Sequence, residues 1–337
     1  RVMRLSVKED GNWRSFRHRN YRILFPANAV SNIGSWAQRI AQDWLVLELT
    51  DNNGTYLGLV TAVQFAPVLL FSLHGGKLAD RFNKRKVLIL TNIVGGAASL
   101  GLGVLVITKH IELWHVFALA AVLGISTAID APVRQSFTTE VVGQTDLPNA
   151  VSLNSANFNA GRLVGPAVSG GLIAAFGTGP SFIINGLSYF FVITALFNLN
   201  EKAFFHQDRP KSDGNIREGL AYAKARPDIY VVMLMVFFLA TFGLNFQIFN
   251  ALMATKEFEK GAASFGLMGT FIAIGSLTGA LGSARLERFR NTRFVILGGI
   301  AFSVSIMVLS VLPNYTSYVI WLPVCGVTAL TTLVSAN

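Results

Sequence analysis

Long apolar stretches separated by short polar segments dominate the chain. Ten of these stretches have the roughly 20 residues that an α-helix needs to cross about 30 Å of hydrocarbon. They predict membrane-spanning helices at residues 23–49, 56–79, 87–107, 113–135, 149–175, 180–199, 229–253, 264–284, 294–312 and 316–335. The expected fold class is therefore an all-α polytopic membrane protein.

Composition and the placement of charge support this prediction. Hydrophobic residues make up 52% and charged residues 14% of the 337 residues, whereas about 25% charged residues is usual for a soluble domain. The net charge of +10 could indicate a nucleic-acid partner, but 23 of the 28 Lys and Arg residues lie on one side of the predicted membrane and 3 on the other. Such an asymmetry predicts a cytoplasmic N-terminus, and no nucleic-acid partner is expected.

An internal repeat divides the chain into two halves. Residues 75–90 and 282–297 share an acidic residue followed by Arg and Phe, then a basic or polar cluster and an apolar helix, at an offset of 207 residues. Both copies lie on the cytoplasmic side, so the halves run parallel. We expect an N-terminal six-helix bundle at 1–199, a cytoplasmic linker at 200–227 and a C-terminal bundle at 228–337 that lacks its last two helices.

Three motifs carry a resemblance to a known family. The loop 76–86 (GKLADRFNKRK) resembles the signature loop between helices two and three of the major facilitator superfamily. Asn83 stands where glycine is usual, and because asparagine tolerates positive φ the tight turn is expected to be kept. Residues 161–171 resemble the antiporter motif, carried here by Gly161, Gly165, Pro166 and Gly170. Residues 38–50 and 130–137 are similar to the proton-linked drug exporter branch, which includes macrolide and enterobactin exporters.

The resemblance implies a major facilitator fold of two six-helix bundles and a secondary active exporter. Such a protein moves a small amphipathic compound outward by alternating access, in exchange for protons. We expect no enzyme activity, cofactor or metal, a plasma or inner membrane location, and a monomer whose partners are its substrate and the lipid bilayer. The alternatives are a siderophore-like anion exporter, a gradient-independent facilitator and a non-transporting membrane sensor.

Two motifs have a physical interpretation of their own. Asp80 is the lone acid beside Arg81, Lys84 and Arg85, and we predict that it acts as a latch that closes the cytoplasmic side, within the loop that starts at Gly76. For Lys84 and the basic residues that follow it, we favour simple anchoring on the cytoplasmic side. In the antiporter motif, close helix packing through small residues, with a bend at proline, explains the sequence without any role in antiport.

Polar side chains inside the first predicted span indicate a cavity wall. Arg39 and Asp43 are four residues apart and share a helix face with Asn28, Asn32 and Ser35. Because a charge at membrane depth is costly, such residues usually face a cavity or a partner. Asp43 is either a proton-titrating site or a fixed counter-ion of Arg39.

Three further groups are candidates in other spans. Arg162 shares a stripe with Asn154, and we favour a bridge to another helix over recognition of an anionic substrate. Asn245 and Asn250 are deep in the seventh span, the pseudo-equivalent of the first. Asp130 and Arg134, again four apart, lie toward the cytoplasmic end of the fourth span. For them we favour an interfacial pair near the headgroups over substrate contact.

Overall fold

The computed structural model describes residues 13–205, 226–243, 245–285 and 292–336, apart from the side chains of 72–81, 228–229, 240, 283–285, 292 and 334–336. Regular structure in these residues is entirely helical, which confirms the predicted fold class. The chain divides into two compact units, Arg1–Gln207 (unit 1) and Asp208–Asn337 (unit 2). The predicted linker lies mostly outside the described residues.

Unit 1 holds five long helices. They are α1 (Arg19–Leu49), α2 (Gly54–Arg81), α3 (Lys84–Ile107), α4 (Leu113–Phe176) and α5 (Gly179–Phe197). A short 3₁₀ turn at Arg14–Arg17 precedes α1, and another at Glu201–Ala203 follows α5.

Helix α4 contains both the fourth and the fifth predicted spans, because it is interrupted only at Gly143. The backbone there has φ 72° and ψ 172°, a conformation that glycine adopts readily. A Cβ at this position would lie 3.2 Å from the ring of Phe205. We expected a polar connection over residues 136–148, but helix runs from both sides up to Gly143. Phe137, Val141 and Val142 of this stretch are buried in the hydrophobic core of unit 1. The predicted helix ends were misplaced because they rested on the length of the apolar runs alone.

Small residues bring the helices of unit 1 together. Helix α1 packs against α4 and α5, α2 against α4, and α3 against α5. A Cβ on Gly165 of α4 would lie only 2.5 Å from the Cβ of Trp36 on α1. A Cβ on Gly161 would lie 2.9 Å from the backbone carbon of Asn32. Close backbone approach of this kind drives helix association in bilayers, where lipid is as apolar as the helices.

Unit 2 contains α6 (Pro227–Phe238), α7 (Phe246–Leu252), α8 (Ala262–Arg285), α9 (Thr292–Ser310) and α10 (Tyr315–Ala336). The span predicted at 229–253 corresponds to the apolar helical segment Tyr230–Glu257. Within this segment, π-helical turns at Leu239–Gly243 and Met253–Glu257 flank α7. Gly243 packs so closely on the ring of Phe302 that a Cβ would clash. The close contact with Phe302 thus coincides with the change from a regular α-helix to a π-helical turn.

Eight helical segments of the described residues are long and apolar enough to cross a membrane. One of them is α4, which contains two of the ten predicted spans. Helix α1 is not among the eight, because its polar stripe lowers its hydropathy. These findings support a multi-pass membrane protein, as the sequence predicts.

Candidate functional site

The polar stripe of α1 faces a cavity within unit 1, here called the amide cavity. Its volume is ≈ 380 Å³. Side-chain amides and hydroxyls from four helices make up most of its polar wall: Asn28, Asn32 and Ser35 of α1, Thr91 and Asn92 of α3, Thr127, Asn154 and Asn157 of α4, and Tyr189 of α5. The same wall contains one acid and one base, Asp130 and Arg134.

Asp130 and Arg134 form a bidentate pair that joins three helices. Arg134 donates from Nε to Asp130 Oδ2 at 2.7 Å and from Nη2 to Oδ1 at 3.0 Å. Asp130 Oδ1 also accepts from Thr91 Oγ1 at 2.8 Å and Asn92 Nδ2 at 3.3 Å, and Arg134 Nη1 donates to Asn28 Oδ1 at 2.8 Å. The interfacial placement that we favoured is wrong. Helix α4 continues for two turns beyond Arg134, and the pair lies in the cavity wall.

A second cavity, here called the arginine cavity, shares part of this wall. It has a volume of ≈ 460 Å³ and is lined with Asn32, Ser35 and Phe158 in common with the first. Arg39 gives it its charge. The Arg39 guanidinium carbon lies over the ring of Phe65 at 4.8 Å and over that of Trp36 at 5.9 Å.

The amides around Arg39 are fixed by hydrogen bonds to one another. Gln42 Nε2 donates to Gln64 Oε1 at 3.1 Å, and Asn185 Nδ2 donates to Gln38 Oε1 at 2.7 Å. These pairs link α1 to α2 and to α5. Because each buried amide has a partner, the wall holds its shape without a ligand.

Asp43 lies one helical turn beyond Arg39 and is only 4% exposed. Its charge acts on Arg39, so the two residues form an electrostatic unit, as their spacing predicted. The structure thus places Asn32, Ser35 and Arg39 in the wall of the two cavities and Asp43 in the packed interior beside it.

The part of α4 that follows Gly143, here called its second arm, supplies another wall of the two cavities. Tyr21 Oη donates to Asn154 Oδ1 at 3.0 Å, and Asn157 Nδ2 donates to the Phe25 carbonyl at 3.3 Å. The residues Gly161, Gly165, Pro166 and Gly170 are all buried in this arm. Their packing on α1 holds the two asparagines and Phe158 at the cavity.

Comparison with known proteins identifies the family. Residues 10–337 match the family described as transmembrane secretion effector. The chain belongs to this family. It is a major facilitator transporter and not an enzyme, which confirms the predicted resemblance.

Relatives of the transporter include exporters of siderophores and drugs. It is 25% identical over 264 residues to the staphyloferrin A transporter of Staphylococcus aureus, covering 77% of this chain and 66% of that protein, just under two thirds of its length. It is 26% identical over 306 residues to the multidrug efflux pump Tap of Mycolicibacterium fortuitum, covering 86% and 73%. It is 21% identical over 310 residues to the enterobactin exporter EntS of Salmonella choleraesuis, covering 92% and 74%.

The fold is also shared with solved transporters. A bacterial homologue of the human lysosomal transporter Spinster, in an inward-facing and unoccupied conformation, aligns with a TM-score of 0.68 at 15% identity. The alignment covers 94% of this chain and 73% of that one. This likeness shows the major facilitator fold.

The signature loop of the transporter lies at the basic end of unit 1, the end that holds residues 13–18, 82–86 and 198–205. Lys84 Nζ donates to Glu140 Oε1 at 2.6 Å, and Arg85 pairs with Glu201. Arg85 also donates to the Leu196 carbonyl at 2.7 Å, at the end of α5. The anchoring role that we favoured for Lys84 and Arg85 is therefore incomplete, since they tie α3 to α4 and to the end of α5.

Other parts of the loop differ from expectation or lie outside the description. Asn83 has φ −63°, so the positive φ considered for it is wrong. It caps α3 instead, its side chain accepting the Lys86 backbone N–H at 3.1 Å. The side chains of residues 72–81 are not among those that the structure describes. This range includes Gly76, Asp80 and Arg81, so the latch stays a prediction.

Sequence reasoning missed Asp146, which is 1% exposed at the basic end. Its carboxylate accepts from Arg17 Nε at 2.8 Å and lies 2.6 Å from His18 Nε2, with Arg14 Nε at 3.4 Å. Burial raises the pKa of Asp146, but the hydrogen bonds from His18 and Arg17 outweigh it and hold the pKa below its usual value. The sequence offered one signal: Asp146 lies in a predicted cytoplasmic connection, on the side of the membrane where most Lys and Arg residues are expected.

The remaining candidates do not lie in the walls of the two cavities. Nη2 of Arg162 is buried and makes no hydrogen bond within the described residues. The bridge to another helix that we favoured for Arg162 stays a prediction. In unit 2, Asn250 accepts from Tyr318 Oη at 3.0 Å, and Asn245 Nδ2 donates to the Thr241 carbonyl at 2.7 Å. Asn250 is buried, and the hydroxyl of Tyr318 supplies the partner that a buried amide needs. Asn245 is half-buried.

Proposed function

We propose that the transporter is a secondary active exporter that moves small amphipathic compounds outward by alternating access, in exchange for protons. The observation that carries this proposal is the pair of adjoining cavities in unit 1, with Arg39, Asp130 and Arg134 at membrane depth. A charge there costs about 2.5–3.5 kcal/mol on insertion scales, so its presence is best explained by a permeant polar group. The enterobactin exporter and the multidrug efflux pump among the relatives support the direction of transport.

Coupling to protons is proposed to occur at Asp43. It is buried and lies beside Arg39, whose charge favours the ionised carboxylate. A substrate that draws Arg39 away would weaken the electrostatic stabilisation of the ionised Asp43 carboxylate, and the carboxyl would then take up a proton. Proton uptake on one side and release on the other would drive the exchange.

The substitution Asp43→Asn tests this step. It keeps the size of the side chain but cannot exchange a proton, so uphill export should fall to the level of passive equilibration. Export is measured as dye efflux from cells with an imposed pH gradient, and Asp51→Asn, at an exposed loop position, is the matched control. Unchanged proton-driven export by Asp43→Asn would exclude Asp43 as the coupling site.

The basic end is proposed to face the cytoplasm and to act as a gate. The 23 to 3 distribution of basic residues supports this orientation in the plasma or inner membrane. The pairs Lys84–Glu140 and Arg85–Glu201 would then belong to a cytoplasmic gate together with Asp80 of the signature loop. We further propose a monomer in the lipid bilayer that takes its energy from the proton gradient and needs no cofactor.

Other functions make different predictions. A facilitator of the same fold would equilibrate its substrate and never concentrate it. A non-transporting sensor would show no flux. A siderophore-like anion exporter is favoured by one observation, the presence of Arg39 among the residues that line the arginine cavity.

A further inference from the structure

Arg39 differs from the other arginine of the cavity wall in what it contacts. Arg134 is held by both oxygens of Asp130. Arg39, in the described part of the chain, contacts two aromatic rings and interacts electrostatically with Asp43. Arg39 is also one of the residues that line the arginine cavity.

Stacking on Phe65 and Trp36 fixes the plane of this guanidinium. The ring distances of 4.8 Å and 5.9 Å are within the range of cation–π attraction. A guanidinium fixed in this way offers two parallel N–H donors at its edge, which is the geometry that a carboxylate accepts. Less rotational freedom is lost on binding because the stack has already ordered the side chain.

The rest of the wall suits an organic acid with a flat apolar part. Gln38, Gln42 and Gln64 are neutral, and their amides are already oriented by hydrogen bonds. Phe65 is 45% exposed and Phe158 48% exposed, so both rings offer apolar surface to the cavity that they line.

We infer that Arg39 binds a carboxylate of the transported compound, so that the substrate class is organic acids carrying an aromatic or similarly flat apolar portion. This inference rests on the proposed export function and narrows its substrate. A bound carboxylate would compete with Asp43 for Arg39, which is the displacement that the coupling step requires. The carboxylate thereby serves both recognition and coupling.

Matched pairs of probes test the inference on the purified full-length protein in lipid nanodiscs. The pairs are benzoate with benzamide and 2-naphthoate with 2-naphthamide, which differ in charge but little in shape. Dissociation constants are measured by titration calorimetry. We expect each carboxylate to bind about tenfold or more tightly than its amide, since a charge-assisted bond contributes about 1.5–3 kcal/mol.

Variants test whether the preference for a carboxylate over its matched amide depends on Arg39. Arg39→Gln should abolish it, and Arg39→Lys should keep only part, because lysine has the charge without the planar fork. Lys202→Gln, at an exposed position, removes a positive charge elsewhere and should behave as the wild type. If Arg39→Gln does not fold, Phe65→Leu keeps the charge and should reduce the preference a few-fold.

Two results would overturn the inference: no carboxylate preference in either pair, or a preference that persists in Arg39→Gln. The outcome is separable from that of the proposed function. Proton-driven export of a neutral dye without any carboxylate preference would leave the exporter standing and exclude this substrate class. If the protein transports only downhill but shows a carboxylate preference that depends on Arg39, the substrate class stands and proton-driven export is excluded.

Discussion

Three charged groups of unit 1, namely Asp130, Arg39 and Asp146, are compensated by their neighbours in three different ways. In the amide cavity Asp130 receives donors from Arg134, Thr91 and Asn92. In the arginine cavity the compensation is aromatic, with Arg39 on Phe65. At the basic end Asp146 is held by cationic groups of the segment that precedes α1. The first two arrangements leave polar groups facing a cavity, whereas the third closes a packed junction.

The junction at Asp146 predicts a pH-dependent contribution to stability. Asp146→Asn should lower the unfolding free energy by about 1–3 kcal/mol at pH 7, because it removes a charged acceptor from buried hydrogen bonds. The pKa of this carboxyl is lower in the folded protein than its usual value of about 3.9 in an unfolded chain. The stabilisation is therefore fully present above the unfolded value and is lost as the pH falls through the folded one.

Thermal unfolding in detergent between pH 7 and pH 3 measures this effect. The gap in melting temperature between wild type and Asp146→Asn should be constant down to about pH 5 and should close below about pH 4. Asp51→Asn, the exposed control, should show no gap. A gap that widens as the pH falls would contradict the assignment.

Local spacing explains which residue-scale features the sequence could predict. The pair Asp130 and Arg134 and the unit of Arg39 and Asp43 follow from a separation of four residues on one helix. The partners Thr91, Asn28 and Phe65 come from other helices, and their approach depends on packing that no local pattern encodes. The partners of Asp146 lie about 130 residues away in sequence, which is why the junction was missed.

Glycine placement decides how the helices of unit 1 meet. Gly161 and Gly165 let the second arm of α4 approach the backbone of α1 at the level of the cavities. Because Asn154, Asn157 and Phe158 precede these glycines on the same arm, the depth of this contact fixes the cavity wall. The antiporter motif is thus a packing element whose effect on transport would be indirect.

A pair of alanine substitutions within one motif tests this role. A Cβ at Gly165 would lie 2.5 Å from the Cβ of Trp36 and 3.0 Å from the Ala37 nitrogen, whereas a Cβ at Gly171 meets nothing within 4 Å. Gly165→Ala should destabilise the protein by about 1–3 kcal/mol and reduce transport. Gly171→Ala should be neutral or slightly stabilising, since alanine is the better helix former.

Thermal unfolding and dye efflux of the two variants provide the measurement. Equal effects at both positions would show that the motif does not act through contact with α1.

At the scale of the element, the sequence predicted nearly all helices, because a long apolar run leaves a chain in lipid few other structures. It did not predict the continuation of α4 to Gly143 or the π-helical turns around α7, since those depend on contacts with Phe205 and Phe302.

At the scale of the whole molecule, family and fold agree with what repeat, charge and motifs predicted. The chain is a multi-pass major facilitator transporter with two units, and its relatives include exporters. The distribution of Lys and Arg along the whole chain predicts a cytoplasmic N-terminus, and this orientation stays a prediction. Substrate and coupling ion depend on a few side chains, for which we propose Arg39, Asp130 and Arg134 in the cavity walls and Asp43 beside them.

Proton-driven export is the central claim, and everted membrane vesicles containing the full-length protein test it most directly. Uptake of ethidium and of a fluorescent aromatic carboxylate is followed by fluorescence under a respiratory proton gradient, with and without an uncoupler. A typical gradient supplies about 1.4 kcal/mol per pH unit, so uptake well above tenfold is possible when a membrane potential is added. The account predicts concentrative uptake that the uncoupler abolishes. Uptake that only equilibrates, or that persists with the uncoupler, would contradict it.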